Sequence, residues 1–203
     1  MIIKSKQTIA EYKRAIEAAD IWAKKEINKY DAPSTWAYNS SNAGGQKIAN
    51  YYKVNKKLIL LGTILEDISL GKARAIGKME DHSKMCYEDA KNFLNKFNLP
   101  AEDKQKILEG VLRHHENTGF TSLGAKIIAN ADSYKFLSLK NTTLFLKTLL
   151  REGMSPTDAL KFVKFKFNEK VTNLTLPFCK KDLKNEIKKI ERYLNQYEKS
   201  LNI

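Results

Sequence analysis

His114 and His115 stand side by side in a chain of 203 residues that has only three histidines, and Asp132 follows seventeen positions after the pair. The third histidine, His82, opens another amphipathic stretch upstream, and an acidic pair, Glu66-Asp67, closes the most apolar one. Neutral imidazole and carboxylate are the donor set for borderline divalent metals. Here they recur at the ends or on the apolar faces of separate helical stretches. A fold that gathers them can hold a metal, and a metal activates water. Each residue also has an ordinary explanation: a hydrogen-bonded core or surface histidine, a solvated helix end, a surface aspartate. For Asp132 that explanation is the weaker one. Ile127, Ile128, Ala131 and Phe136 surround it in the sequence, and a buried carboxylate needs a partner or a cation.

The elements that must position these residues all have helical period. Thr8-Ile-Ala-Glu11 has capping-box spacing, and Ile9, Tyr12, Ile16, Ala19 and Trp22 then recur at three to four residues. Asp31 to Thr35 breaks that helix, and a small, polar stretch from Trp36 to Gly45 leads into another. Leu58 to Leu65 is apolar almost all round, the mark of a buried central helix, with Glu66-Asp67 at its end and Asp67 on the side of Leu60 and Ile64. His82, Cys86, Ala90, Phe93, Leu94 and Phe97 form one stripe of a helix that stops before Pro100. The next helix starts at Ala101-Glu-Asp and carries Ile107, Leu108, Val111 and Leu112. At about 100° per residue its apolar face centres near His115, with His114 toward the edge. Leu123 to Leu139 reads as a buried helix containing Asp132. Thr142 to Leu150, a helix started by Ser155-Pro156-Thr-Asp158, and Lys181 to Leu201 complete the chain. No alternating strand, repeat or low-complexity linker stands out. The expected fold is all-α, with residues 1–140 as the core and 141–203 as a C-terminal helical extension packed on the same domain.

Composition narrows the setting. With 42% hydrophobic residues the chain can bury a sizeable core. Cys86 and Cys179 are far apart and in no metal-type spacing, which argues against a disulfide scaffold and for a reducing compartment. No apolar run approaches the roughly 20 residues of a membrane span, and the N-terminal residues lack a signal-peptide apolar region. The expectation is a cytoplasmic protein with no membrane partner. The formal charge of +13 invites nucleic acid. Its lysines are spread through the chain without a pure basic block, however, so a phosphorylated small molecule fits the charge equally well. Gly44-Gly45 is no phosphate loop, because no Gly-Lys-Ser/Thr follows it. Cys86 lies one turn from His82 and reads as a core thiol.

The order of these residues resembles the HD-domain superfamily. The resemblance is carried by Leu-Ile-Leu-Leu-Gly-Thr-Ile-Leu-Glu66-Asp67-Ile, then His82, then Leu-Arg-His114-His115-Glu, then Ala-Asn-Ala-Asp132, and it spans roughly residues 36 to 140. Members of that superfamily are helical, metal-dependent phosphohydrolases, with a smaller branch of di-iron oxygenases. Their pattern is a first His, a His-Asp pair ending a buried helix, further histidines on following helices, and a final Asp. By resemblance, Asp67 matches the aspartate of the pair and Asp132 the terminal aspartate. His82 with His114 or His115 then matches the extra histidines of binuclear members.

Two departures follow. The pair here is Glu66-Asp67, and counting back to the first His reaches about Ala37, with no histidine upstream. The resemblance therefore implies one divalent metal ion (Mn, Mg, Fe, Ni or Zn), held by Asp67, His82, His114 and His115. Asp132 would be a ligand or base and Glu66 a further oxygen ligand favouring harder ions. Lys72, Arg74 and Arg113 are candidates to neutralise substrate phosphate, with Lys78 beside them. The implied function is metal-dependent hydrolysis of a nucleotide or small phosphate ester, catalysed with Asp67 and Asp132. The alternative is a degenerate HD domain that serves as a nucleotide- or nucleic-acid-binding or interaction module. An oxygenase role needs the histidines that are absent here. A homo-oligomer is left open.

Overall fold

The computed structural model describes residues 6–201, and within them all regular structure is helical, as the periodicity predicts. In order the helices are α1 (Lys6–Tyr30), α2 (Thr35–Tyr52), α3 (Lys56–Leu65), α4 (Leu70–Ala75), α5 (His82–Leu94), α6 (Ala101–Leu112), α7 (Leu123–Ser133), α8 (Leu139–Arg151), α9 (Pro156–Thr172) and α10 (Pro177–Ser200). A single 3-10 turn, Met79–Asp81, leads into α5. None of the helices is long and apolar enough to cross a membrane.

The centre of the bundle is α3. Leu58, Ile59, Leu61, Ile64 and Leu65 are all buried, and the helix touches α1, α2, α6 and α7 on different sides. An apolar surface with no polar stripe can be satisfied only by neighbours all round. Around it, α1 lays down Tyr12, Ala15, Ala19, Ala23 and Ile27. That stripe is rotated from the expected one: Ile9 is exposed, and the small alanines let α1 approach α3 closely. Thr8 also lies inside the helix rather than capping it, because α1 is already formed at Lys6. Serine caps serve the later helices as their sequences suggest. Ser122, Ser138 and Ser155 each accept a hydrogen bond from the backbone N–H three residues on, at 3.1, 3.2 and 3.2 Å.

Helix α7 is fixed between α3 and α6 by Ile128. A Cβ on Gly62 would meet Ile128 Cγ1 at 2.7 Å, and a Cβ on Gly110 would meet its branch point, Cβ, at 2.8 Å. Both glycines therefore exist for close helix approach, and together they hold α7 in register. Gly110→Ala is expected to destabilise the protein. Overpacking costs about 1–3 kcal/mol, more than the roughly 1 kcal/mol that Ala adds to a helix. A lowered urea midpoint checks it, and a raised midpoint would show that α6 and α7 can separate without loss.

The last three helices pack back on the bundle. α8 lies on α9 and α10, α9 reaches α7, and α10 reaches α2. The expected long helix through Leu139 is two elements, since α7 stops at Ser133 and α8 starts at Leu139 under its Ser138 cap.

Candidate metal centre

Glu66 and Asp67 sit at the C-terminal end of α3, where the helix's own partial charge is negative and disfavours carboxylates. What holds them there is a buried lysine. The Lys135 ammonium lies 2.9 Å from Glu66 Oε1 and 2.8 Å from Asp132 Oδ1, and it donates to Asp67 Oδ2. A second buried lysine, Lys170 of α9, donates to Asp132 Oδ2 and lies 2.9 Å from both Glu169 Oε1 and His115 Nδ1. Each ammonium has three N–H groups and three close polar neighbours. The side chains of Lys135 and Lys170 are 3% and 1% exposed. From α2, Ser41 donates to Glu66 Oε1. The α2 side chain that reaches the acidic pair is thus Ser41, one turn beyond Ala37.

The three histidines meet on the other side of Asp67. His114 Nε2 lies 3.4 Å from Asp67 Oδ1, and His82 Nε2 lies 3.0 Å from His115 Nε2. Ring centroids are 4.1 to 5.4 Å apart. His82 Nδ1 is 2.7 Å from the Met79 carbonyl and His114 Nδ1 is 2.6 Å from the Val111 carbonyl. A carbonyl can only accept, so both Nδ1 atoms carry a proton and both Nε2 atoms face inward. That is the second-shell arrangement of metal-ligating histidines. His114 Nε2 is buried and makes no hydrogen bond within the protein.

Helix α6 ends at Leu112, and Arg113 leaves helical geometry at φ −109°, ψ 17°. The turn swings His114 into full burial and leaves the His115 side chain 31% exposed. This reverses the expectation from the helical wheel, which held only while the helix continued.

Charges follow from burial and neighbours. Burial pushes Glu66 up to about 7, with Lys135 opposing. For Asp67 and Asp132 burial also acts upward, but Lys135, joined by His114 at Asp67 and by Lys170 at Asp132, holds both carboxyls below the usual range. Burial and the neighbouring His114 lower His115 to about 4, and burial lowers His82. His114 is raised: burial acts against it, but its contact with Asp67 prevails. Both lysines stay protonated despite burial because of the carboxylates they touch.

Six sequence candidates, Glu66, Asp67, His82, His114, His115 and Asp132, thus lie in one centre. Their ligand atoms form two groups, the imidazoles of His82, His114 and His115 and the carboxylates of Glu66, Asp67 and Asp132, each within 4.8 Å. The imidazole group with Asp67 Oδ1 fits a borderline divalent ion. The carboxylate group already encloses an ammonium. Asp132 has an ammonium on each oxygen, which suits a counter-ion better than a base.

The three basic candidates are engaged elsewhere. Lys72 lies 3.7 Å from Asp89, and Arg74 lies 3.1 Å from Glu152. Arg113 donates to the Thr118 carbonyl at 2.9 Å and to Glu116. Cys86 is a core thiol: it accepts from the Ser69 N–H at 3.3 Å, and burial pushes it up.

No protein-family model matches the sequence, and no curated protein is similar to it. Two crystal structures are similar in fold. One is a predicted HD superfamily hydrolase from an uncultured Thermotogales bacterium, with a TM-score of 0.56 and 17% identity over 75% of this chain and 84% of that one. The other is a structural-genomics target from Lactobacillus plantarum, with a TM-score of 0.71 and 13% identity over 93% and 97%. The fold of this chain is the all-α, HD-like fold, with its carboxylates and histidines converging at the end of the central helix.

Proposed function

We propose that this chain is a hydrolase of phosphate esters, acting on a nucleotide or another small phosphorylated molecule with one divalent ion held by Asp67, His82, His114 and His115. The observation that carries this reading is the pair of inward Nε2 atoms on His82 and His114, fixed by Nδ1 contacts to backbone carbonyls, with Asp67 Oδ1 beside His114. Charge is consistent with a cation at this place. Glu66, Asp67, Asp132 and Glu169 face three ammoniums, those of Lys135, Lys170 and Lys166, so the centre carries more carboxyl groups than lysines. Such an ion, when bound, acts as a Lewis acid on a phosphoryl oxygen and makes water more acidic.

The residues divide the remaining work. Lys170 and Lys135 hold Asp132 ionised, so it anchors the floor of the centre. Glu169 Oε1 and the Lys170 ammonium both lie against His115 Nδ1, at 3.2 and 2.9 Å, and hold that imidazole at the mouth. His82, His115 and Glu169 are partly exposed, while Glu66, Asp132 and both lysines are buried and the Asp67 side chain is 11% exposed. Substrate therefore approaches the histidine face.

The enclosed Lys135 favours a second reading, a domain that binds phosphorylated ligands without hydrolysing them. Elemental analysis of protein purified without chelator separates the two. The hydrolase is expected to carry about one equivalent of ion and to lose it at low pH, where imidazoles protonate. It is also expected to turn over nucleotides or simple phosphate esters only when loaded. Ion-free protein, inactive across that panel and still binding nucleotide as His115→Ala, would overturn the hydrolase reading.

A further inference from the structure

The carboxylates of Glu66, Asp67 and Asp132 bring their oxygens within 4.8 Å of one another at a largely buried position. Three such groups cannot all stay ionised without a cation between them. An oxygen-only cluster of this kind is what hard divalent ions select. Here the position between the oxygens is taken by the Lys135 ammonium, with contacts to all three carboxylates.

Two further observations show that the lysine is built into this place. Its backbone is anchored, because Asn141 Nδ2 donates to the Lys135 carbonyl at 2.9 Å and the Lys135 N–H donates to the Asp132 carbonyl at 3.1 Å. Glu66 Oε2 is buried and has no hydrogen-bond partner. The cluster thus offers more acceptor capacity than a three-proton ammonium can use.

We infer that Lys135 is a resident cation: its ammonium fills the oxygen-lined half of the centre in place of a divalent ion, so that only the histidine half can accept one from solution. Removing the ammonium converts Glu66, Asp67 and Asp132 into a site for a hard divalent cation. The count of ions in the native chain rests on the reading of the histidine half proposed above, but the increment on removing Lys135 does not.

The test is Mn²⁺ binding by the full chain and by Lys135→Met, measured by calorimetry and elemental analysis. Lys135→Met is expected to bind one more Mn²⁺ than the native chain. Without divalent ions it should melt about 10 °C lower, because buried carboxylates lose their partner, and Mn²⁺ should restore the loss. A native chain that binds none and a variant that binds one would keep this inference and reject the histidine half as an ion site. A folded variant with no added ion, or a native chain that takes two, overturns it. If Lys135→Met does not fold at any Mn²⁺ concentration, the double variant Lys135→Met/Glu66→Gln, which removes one charge of each sign, carries the same test with the same two outcomes.

Discussion

Asp132→Ala is expected to destabilise the fold by about 3–5 kcal/mol, the range for stripping one partner from a buried ion pair. Both oxygens of this carboxylate hold an ammonium, Lys135 on Oδ1 and Lys170 on Oδ2. Its loss leaves two buried positive charges short of compensation at once. Lys135 keeps Glu66 and Asp67, and Lys170 keeps Glu169, so the effect is partial loss rather than obligatory unfolding. Asp132→Asn preserves the shape but not the charge, and it should cost nearly as much. Thermal melts of the three proteins give the answer. An Asp132→Ala protein that melts with the native chain would mean that the lysines do not depend on Asp132.

Asp67→Ala is expected to reduce both bound ion and phosphate-ester turnover to the level of chelator-treated protein. Asp67 faces both halves, with Oδ1 toward His114 and Oδ2 toward Lys135. The histidine half has no other carboxylate in the proposed ligand set, and neutral imidazoles alone leave a divalent charge uncompensated. Asp67→Asn separates the two effects. It retains an oxygen beside His114 but removes charge, so it should keep the fold better than Ala while binding ion at least about tenfold more weakly. Full ion content in Asp67→Ala would place the ion away from Asp67.

Much of the centre was legible in the sequence because helical period is a local signal. The all-round apolarity of Leu58 to Leu65 identifies a central helix, and its end places Glu66-Asp67. The apolar neighbours of Asp132 mark it as buried, and it is. The wheel failed at His114 and His115 because it carried 100° per residue past Leu112, where the backbone turns. Lys135 left a faint signal: three residues after Asp132, it is close enough along the chain to share a helix turn. A lysine in a chain rich in lysine nevertheless reads as solvent-exposed. Lys170 and Glu169 gave no local signal, since their partners lie 38 and 54 residues away. Ser41 has the same character, because its link to Glu66 spans 25 residues.

Lys170 also sets an order of events during synthesis. Ribosomes add about 5–20 residues per second, so α9 emerges seconds after Asp132 does. Until then Asp132 has only the Lys135 ammonium, and its Oδ2 lacks the partner it has in the finished fold. The second ammonium arrives on a helix that must dock against α7 to deliver it. Full pairing of Asp132 thus requires that α9 has been made and docked, and a ribosome-bound fragment short of it is expected to leave Asp132 Oδ2 to water.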